Sequence, residues 1–305
     1  MQVPGVDFTE KFSPVATDTS TRIIFGITLH YTEDGWVCEA FDVEADFLEP
    51  FLDIEMYIHW PPGIVELGFI TEEQRRTTCV QLRRSMYGNV DAALRWLREF
   101  TQYLVEECGF KACRADPCIL YKRVDGVLKI VMSIHVDDSL CAGRKSDLDE
   151  LYAKVRKKYN ITTLGVITKY LGVNYDWKKD DQGSPYVVAT MAKNANDIVQ
   201  YYEKVTEKSA KAATTPGFPG VTLDKNVGET IMLDEYRSLV GKILFYVVKI
   251  GPDCGNASRD LARHMSNPGE EHWKSMCRIV GYLKGKRDAR VCHAQARKSN
   301  SCEIL

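Results

Sequence analysis

Two short stretches carry the acids whose spacing suits chemistry. One is Phe41-Asp42-Val43-Glu44-Ala45-Asp46-Phe47-Leu48, with an acid at the end of an expected strand; the other is His135-Val136-Asp137-Asp138, two adjacent acids on the expected tight turn of a hairpin. Adjacent carboxylates in an apolar setting repel, and a bound divalent cation relieves that cost most readily. A third carboxylate from another strand would complete an oxygen cage for Mg2+, and two such ions can activate a hydroxyl nucleophile and stabilise a phosphate leaving group. The bland alternative is a surface turn, where Asp-Asp is common. The apolar run Ile130 to Ile134 just before it favours the end of a core strand.

The elements that must position these acids follow from periodicity and breakers. Strands are expected at 36–43, 119–123 and 127–135, the last opened by the hairpin signal Asp125-Gly126, with a return strand at 139–142. A helix or buried segment is expected at 22–29 after the cap candidates Thr19, Ser20 and Thr21, and Trp60-Pro61-Pro62-Gly63 is a sharp break. Residues 91–108 form an amphipathic helix through Leu94, Leu97, Tyr103, Leu104 and Cys108, and 147–159 another, capped by Ser146. Strands at 168–177 and 186–190 flank the polar turn 179–183, before a helix at about 193–205. The remainder is a Lys-, Thr-, Pro- and Gly-rich linker over 206–232 and a helical region over 233–305, broken at Pro252 and Pro268. The expected class is therefore α+β, with a strand-and-helix domain at 1–205 and a helical appendage.

Composition narrows the rest. At 305 residues, 45% hydrophobic, 27% charged and formal net charge −2, the chain is globular, neither collagen-like nor disordered. No apolar run approaches a bilayer span, and residues 1–8 show no secretory signal, so the chain is expected to be cytoplasmic or nuclear, not secreted, and to act without membrane. Ten cysteines without a C-x-x-C pair read as reduced thiols; a zinc site is disfavoured by their spacing. Charge is segregated: residues 23–74 hold 12 acids and no Lys or Arg, while 75–98 hold six Arg against Asp91 alone. The tail from Lys249 to Leu305 carries 11 Lys and Arg against six acids. Each block alone is a solvated face, but an acid-rich block beside a basic one is also what a metal-plus-phosphate site requires.

The series of motifs resembles the reverse transcriptase of copia-like long-terminal-repeat retrotransposons, from near the first residue to about 290. Phe12-Ser13-Pro14-Val15 matches F-[SA]-P-V, and Asp42-Val43 through Phe47-Leu48 matches D-V-K-T-A-F-L. Met56-Tyr57-Ile58 with Pro61-Pro62-Gly63 matches V-Y-M-x-Q-P-P-G, and Leu82-Arg83-Arg84-Ser85-Met86-Tyr87-Gly88 matches L-K-K-S-L-Y-G. Asp116-Pro117-Cys118 matches D-P-C, His135-Val136-Asp137-Asp138 matches Y-V-D-D, and Tyr170-Leu171-Gly172 matches F-L-G. Tyr236 to Gly241, Met265 to Pro268, His272-Trp273 and Tyr282 to Gly285 match the segment before the family's ribonuclease H domain.

The resemblance implies a right-hand polymerase, palm and fingers with an antiparallel sheet followed by a helical thumb- or connection-like region. By position, Asp42, Asp137 and Asp138 would be the catalytic metal-binding triad, joined by the Val43 carbonyl, with Mg2+ as cofactor and Mn2+ as a substitute. Ala45, Asp46 and Phe47 would meet the incoming dNTP, Phe47 where the family closes the sugar pocket. Arg83, Arg84, Tyr87, Gly88, His135, Leu171 and Gly172 would lie along an RNA or DNA template–primer, with other retrotransposon pol and gag products as associated partners. The primer 3′-hydroxyl would attack the dNTP α-phosphate and release pyrophosphate.

Departures from the pattern set a second reading beside this one. The family's basic segment K-A-R-L-V-x-x-G would fall upstream of Gly5-Val6-Asp7-Phe8, and the ribonuclease H motifs beyond Leu305, so the chain is expected to be a polyprotein fragment cut at both ends. Asp46 stands for a small Ala, His135 for Tyr, and Asn89-Val90-Asp91-Ala92-Ala93-Leu94 for L-K-Q-A-P-R, with two basic groups lost. The two readings are a reverse transcriptase domain, weakened or inactive as this fragment, and a catalytically inactive nucleic-acid-binding remnant.

Overall fold

The computed structural model describes residues 2, 3, 5, 8–286 and 290–294. Part of the Gly5 to Phe8 segment, the end of the basic tail at 287–289 and 295–305, and Cys302 lie outside the described residues. The chain forms two compact units, Met1–Val166 and Ile167–Leu305. The eight cysteines with described side chains are free thiols. No helix among the described residues is long and apolar enough to cross a membrane.

The first unit opens with α1 (Asp18–His30), whose cap is Thr17, one turn earlier than the Thr19–Thr21 candidates. The reason is Asp116. Its carboxylate accepts from the Thr17 amide (3.1 Å), the Ser20 hydroxyl (2.6 Å) and the Cys118 amide (3.0 Å), gathering the helix start onto the Asp-Pro-Cys loop. These bonds hold the Asp116 pKa below the usual carboxylate value although burial opposes them.

Six antiparallel strands form the main sheet. They are β1 (Trp36–Val43), β4 (Lys111–Ala112), β5 (Ile119–Val124), β6 (Val127–His135), β7 (Asp138–Arg144) and β8 (Ile161–Val166), in the order β4-β5-β6-β7-β1-β8. Between β1 and β4 the chain also makes β2 (Phe51–Ile58), α2 (Glu72–Thr77), β3 (Val80–Arg84) and α3 (Ala92–Glu106). Strands β2 and β3 pair only with each other. Helix α3 buries Trp96, Leu97, Phe100 and Leu104 on the sheet, and α4 (Lys145–Val155) adds Leu148, Leu151 and Tyr152 to the same core. Each fully buried aromatic such as Phe41 contributes about 2–3 kcal/mol by leaving water. Helix α4 starts at Lys145 without a Ser146 cap; the Lys145 ammonium instead reaches the buried Glu39 of β1 (3.2 Å) and Asp149 (2.7 Å).

In the second unit the strand expected at 168–177 is split. A tight turn at Leu171-Gly172 separates β9 (Lys169–Tyr170) from β10 (Val173–Lys179), which pairs with β11 (Pro185–Thr190). Helices α5 (Ala192–Thr206), α6 (Leu233–Lys249), α7 (Gly255–Ala262) and α8 (Glu270–Gly285) follow, and β12 (Arg290–Ala294) closes the edge beside β11. Val173, Ala189, Ile198 and Tyr202 share one core with Tyr236, Ile243, Met276 and Ile279. Sequence reading ends the first domain at 205, whereas the compact units part at 166/167, because β10, β11 and α5 bury their apolar faces against the later helices. Residues 207–232 contain no helix or strand and lie against α7 and α8. The Ala213 amide donates to the Gly281 carbonyl (3.1 Å), and a Cβ at Gly281 would stand 2.0 Å from the Lys211 carbonyl oxygen, so only glycine permits that approach. Further along, His272 Nδ1 accepts from the Gly269 amide (2.9 Å), which leaves Nε2 to donate to the Asp224 carbonyl (2.9 Å).

Candidate active site

Strand register brings the first-unit acids together. Strand β1 lies between β7 and β8, and Asp42 stands directly opposite Asp138, the first residue of β7. Strands β6 and β7 are joined by the two residues Val136 and Asp137, with His135 opposite Asp138. Asp42, Asp137 and Asp138 therefore converge on one end of the central strands, as a two-residue turn beside a strand end demands.

The environments of Asp42 and Asp138 are unfavourable to charge, whereas Asp137 is exposed at the turn. Burial raises the Asp138 pKa, and the negative charges of Asp137 and Asp42 raise it further. Asp42 is raised by burial and then by Asp137 and Glu44. Asp46, 3% exposed, is pushed up to about 6, chiefly by burial and then by Asp137 and Asp42, against a hydrogen bond from the Phe47 amide. Its Oδ2 is buried without a hydrogen-bond partner. Glu44 is turned away from this group: its carboxylate accepts from the Asn160 side-chain amide and from the Thr162 hydroxyl (3.0 Å).

Hard carboxylate oxygens with mutual repulsion and no cationic partner are a donor set suited to a divalent ion such as Mg2+ or Mn2+. Among the described residues, no three or more His, Cys, Asp or Glu side chains stand close enough together to hold a metal ion as placed. The donor chemistry fits; the closed cage is not formed.

Around the acids, Ala45 takes a left-handed conformation (φ 58°) and starts a short 3-10 turn carrying Asp46, Phe47 and Leu48. The Phe47 ring meets that of Tyr87 edge-on at 5.3 Å, which places Phe47 beside the Ser85 to Gly88 segment. Tyr87 is 58% exposed, and Gly88, at φ 97°, has open space around it. Arg83 and Arg84 end β3, and the helix expected over 91–108 follows as α3 from Ala92 to Glu106. Arg84 is engaged by the Glu49 carbonyl (2.8 Å) and carboxylate (3.1 Å) and lies over the Phe51 ring. Arg75 and Arg76 pair with Glu72, Arg98 with Glu10, and Arg95 with Asp91 (2.6 Å) and Asp53. The exposed pairs among these are worth ~0–1 kcal/mol each and yield readily to a phosphate, whereas the Arg95–Asp91 pair is largely buried. Leu171 and Gly172 belong to the second unit, where they form the β9–β10 turn, with the Phe245 ring 3.4 Å from the Cβ position of Gly172.

Two residues that sequence reasoning passed over shape the site. Asp91 accepts through Oδ2 from Arg95 one helical turn later, so the departures at 89–94 bring an acid that the helix pairs, while its Oδ1 stays buried without a partner. Trp96, fully buried, donates its indole N–H to the Val136 carbonyl (2.9 Å). The available signal was a Trp on the apolar face of α3, since a buried indole needs an acceptor.

Comparison with known proteins places these residues in context. Residues 1–216 match the family of reverse transcriptases (RNA-dependent DNA polymerases). The chain is similar to a retrovirus-related Pol polyprotein from transposon TNT 1-94 of Nicotiana tabacum, 28% identical over 95% of this chain and 21% of that protein. It is also similar to one from transposon RE2 of Arabidopsis thaliana, 30% identical over 94% of this chain and 18% of the relative. A putative transposon Ty5-1 protein of Saccharomyces cerevisiae is 26% identical over 79% of this chain and 74% of its own length. The chain thus spans about a fifth of the plant polyproteins it matches.

Proposed function

The chain belongs to the reverse transcriptase (RNA-dependent DNA polymerase) family, and on that premise we propose that it performs RNA-directed DNA synthesis as the polymerase segment of a copia-like pol polyprotein. The observation that carries this reading is the register of Asp42 against Asp138 beside the Asp137 turn, three acids at one sheet end that make no salt bridge among the described residues. The six-stranded sheet with α1, α3 and α4 is read as the palm, the β2–β3 hairpin with α2 as fingers, and the helices after 232 as a thumb- or connection-like region.

Asp42, Asp137, Asp138 and the Val43 carbonyl would hold Mg2+, or Mn2+ in its place. Bound there, such ions supply Lewis acidity to the primer hydroxyl and charge neutralisation to the departing pyrophosphate. Phe47, fixed by Tyr87, would close one side of the sugar pocket and exclude a ribose 2′-hydroxyl. Arg83, exposed at the end of β3, would meet template phosphate, and Tyr87 and His135 offer rings to a base. Asp46, largely protonated below its raised pKa of about 6, presents less negative charge to a triphosphate there than an ordinary carboxylate would.

Primer extension on poly(rA)·oligo(dT) with Mg2+ or Mn2+ tests the reading. Incorporation by the wild-type chain that falls on the order of 10^3-fold or more in Asp137→Asn is expected, from loss of a charge that serves the transition state. Salt-sensitive binding of the duplex without incorporation would instead support the inactive nucleic-acid-binding remnant.

A further inference from the structure

We propose that Trp96 is a positioning residue: its indole N–H locks the peptide plane between Val136 and Asp137 and so fixes the direction in which the Asp137 carboxylate leaves the turn. This inference rests on the polymerase reading only for its catalytic consequence; the geometry stands without it.

The argument begins with the turn. A two-residue β-hairpin loop takes type I′ or type II′ geometry, and the two differ mainly by a flip of the central peptide. Both need positive φ at the first central residue, and only type I′ needs it at the second. Val136 has φ 62°, whereas Asp137 is not among the residues with positive φ, which is the type II′ pattern. Sequence alone does not choose this state. Type II′ turns favour glycine first, and a β-branched residue at positive φ is an outlier that its surroundings must impose.

The surroundings that impose it are visible. The carbonyl that would swing in a flip is that of Val136, the acceptor of the Trp96 indole at 2.9 Å. Trp96 itself has little freedom: it is fully buried, its ring stacks on Phe100 at 4.8 Å, and it meets Tyr159 edge-on at 5.3 Å. A rigid donor on a core helix thus holds one carbonyl of a strained turn. Losing that bond would leave the carbonyl free to turn, take Asp137 into positive φ and redirect its side chain away from Asp42 and Asp138.

The test uses the full chain. Trp96→Phe keeps an aromatic ring against Phe100 and removes only the donor; Phe100→Leu loosens the stack and keeps the donor. Amide hydrogen exchange of residues 136–138 is expected to accelerate about tenfold or more in Trp96→Phe, while amides of β1 opposite β7 stay within about twofold, the signature of local opening. In primer extension, kcat is expected to fall by about 10–100-fold with KM for dTTP nearly unchanged, as for a group that orients a catalytic acid. Phe100→Leu is expected to keep the turn protected and kcat within about threefold of wild type after correction for folded fraction. Turn exchange unchanged in Trp96→Phe overturns the proposal, as does an equal loss of protection throughout the sheet. A wild-type chain that incorporates nothing defeats the polymerase reading alone, because the exchange result still decides the role of Trp96. Should Trp96→Phe not fold, the wild-type indole N–H of Trp96, followed by 15N NMR, decides instead: it must exchange at least about tenfold more slowly than that of the partly exposed Trp60, and equal rates overturn the proposal.

Discussion

Two hairpin turns of two residues each, Val136-Asp137 between β6 and β7 and Leu171-Gly172 between β9 and β10, meet the same backbone demand with different residues. At the second, both residues take positive φ, 46° and 83°, and a glycine supplies the more extreme value. The turn carries no charge, and the Phe245 ring packs beside it. At the first, a β-branched residue takes φ 62°, an acid sits beside it, and a further acid pairs across the strands with Asp42. One turn is uncharged and has a glycine at its more extreme position beside a leucine at φ 46°. The other keeps residues that suit a ligand and relies on the Trp96 indole to hold the shape. A β-branched residue at positive φ beside acids that make no salt bridge among the described residues is what a site poised for a cation would show, and the other turn shows that a two-residue hairpin does not require the charges.

Exchanging the turn chemistries should separate the two by sign. Gly172→Val places a β-branched side chain at φ 83°, with the Phe245 ring 3.4 Å from its Cβ, and is expected to destabilise the second unit by about 2 kcal/mol. Denaturant unfolding followed through Trp177 and Trp273 reads this directly. Val136→Gly is expected to act oppositely and less strongly, a gain of up to about 1 kcal/mol in the first unit, since relief at positive φ is partly offset by glycine entropy. Should both substitutions destabilise alike, the Val136 turn is not strained and the contrast fails.

Much of this was legible in the chain, and the omissions have physical causes. The strand at 36–43, the long strand ending at His135 and the helix over Ala92–Glu106 follow from periodicity, whereas the grouping of Asp42 with Asp138 was implied only by the family resemblance. Strand β2 escaped notice although Asp53 and Glu55 alternate with Leu52, Ile54 and Met56 as in a half-buried strand; it pairs in a two-stranded hairpin outside the main sheet. The caps of α1 and α4 were misplaced because distant residues, Asp116 and Glu39, decide them. The split of 168–177 turns on positive φ at a non-glycine, which propensity does not foresee. The Trp96 bond joins residues 40 positions apart and has no local signature.

Acid should tilt the two regions in opposite directions, the smallest of the expected effects. In the first unit Asp46 is raised to about 6, and Asp42 and Asp138 are raised from the same unfolded value of 3.8. Between the unfolded and folded pKa the native state binds more protons, so stability is lost as pH rises through that window and regained as pH falls from 7 to 5. Asp53 and Asp116, lowered from 3.8, titrate below this range and do not oppose it. In the second unit burial, and then the neighbouring His264, lowers the His272 pKa from 6.5, against the Asp224 carbonyl and Glu271. There the unfolded state binds more protons, so stability present above pH 6.5 is lost as pH falls, and the His272 bond from the Gly269 amide is lost with it. Native-state hydrogen exchange at pH 7 and pH 5, corrected for intrinsic rates, is expected to show β6 and β7 amides better protected at pH 5 and α8 amides less so. The shifts are about 0.5 kcal/mol each way, given that these groups are only partly removed from solvent. Millimolar Mg2+ should abolish the first-unit gain and leave the second-unit loss, because a cation bound to these carboxylates favours their ionised form and so opposes the rise that burial chiefly causes. A first-unit gain that survives Mg2+ would mean that no cation binds these acids, and the turn would then differ from Leu171-Gly172 in strain but not in readiness for a metal.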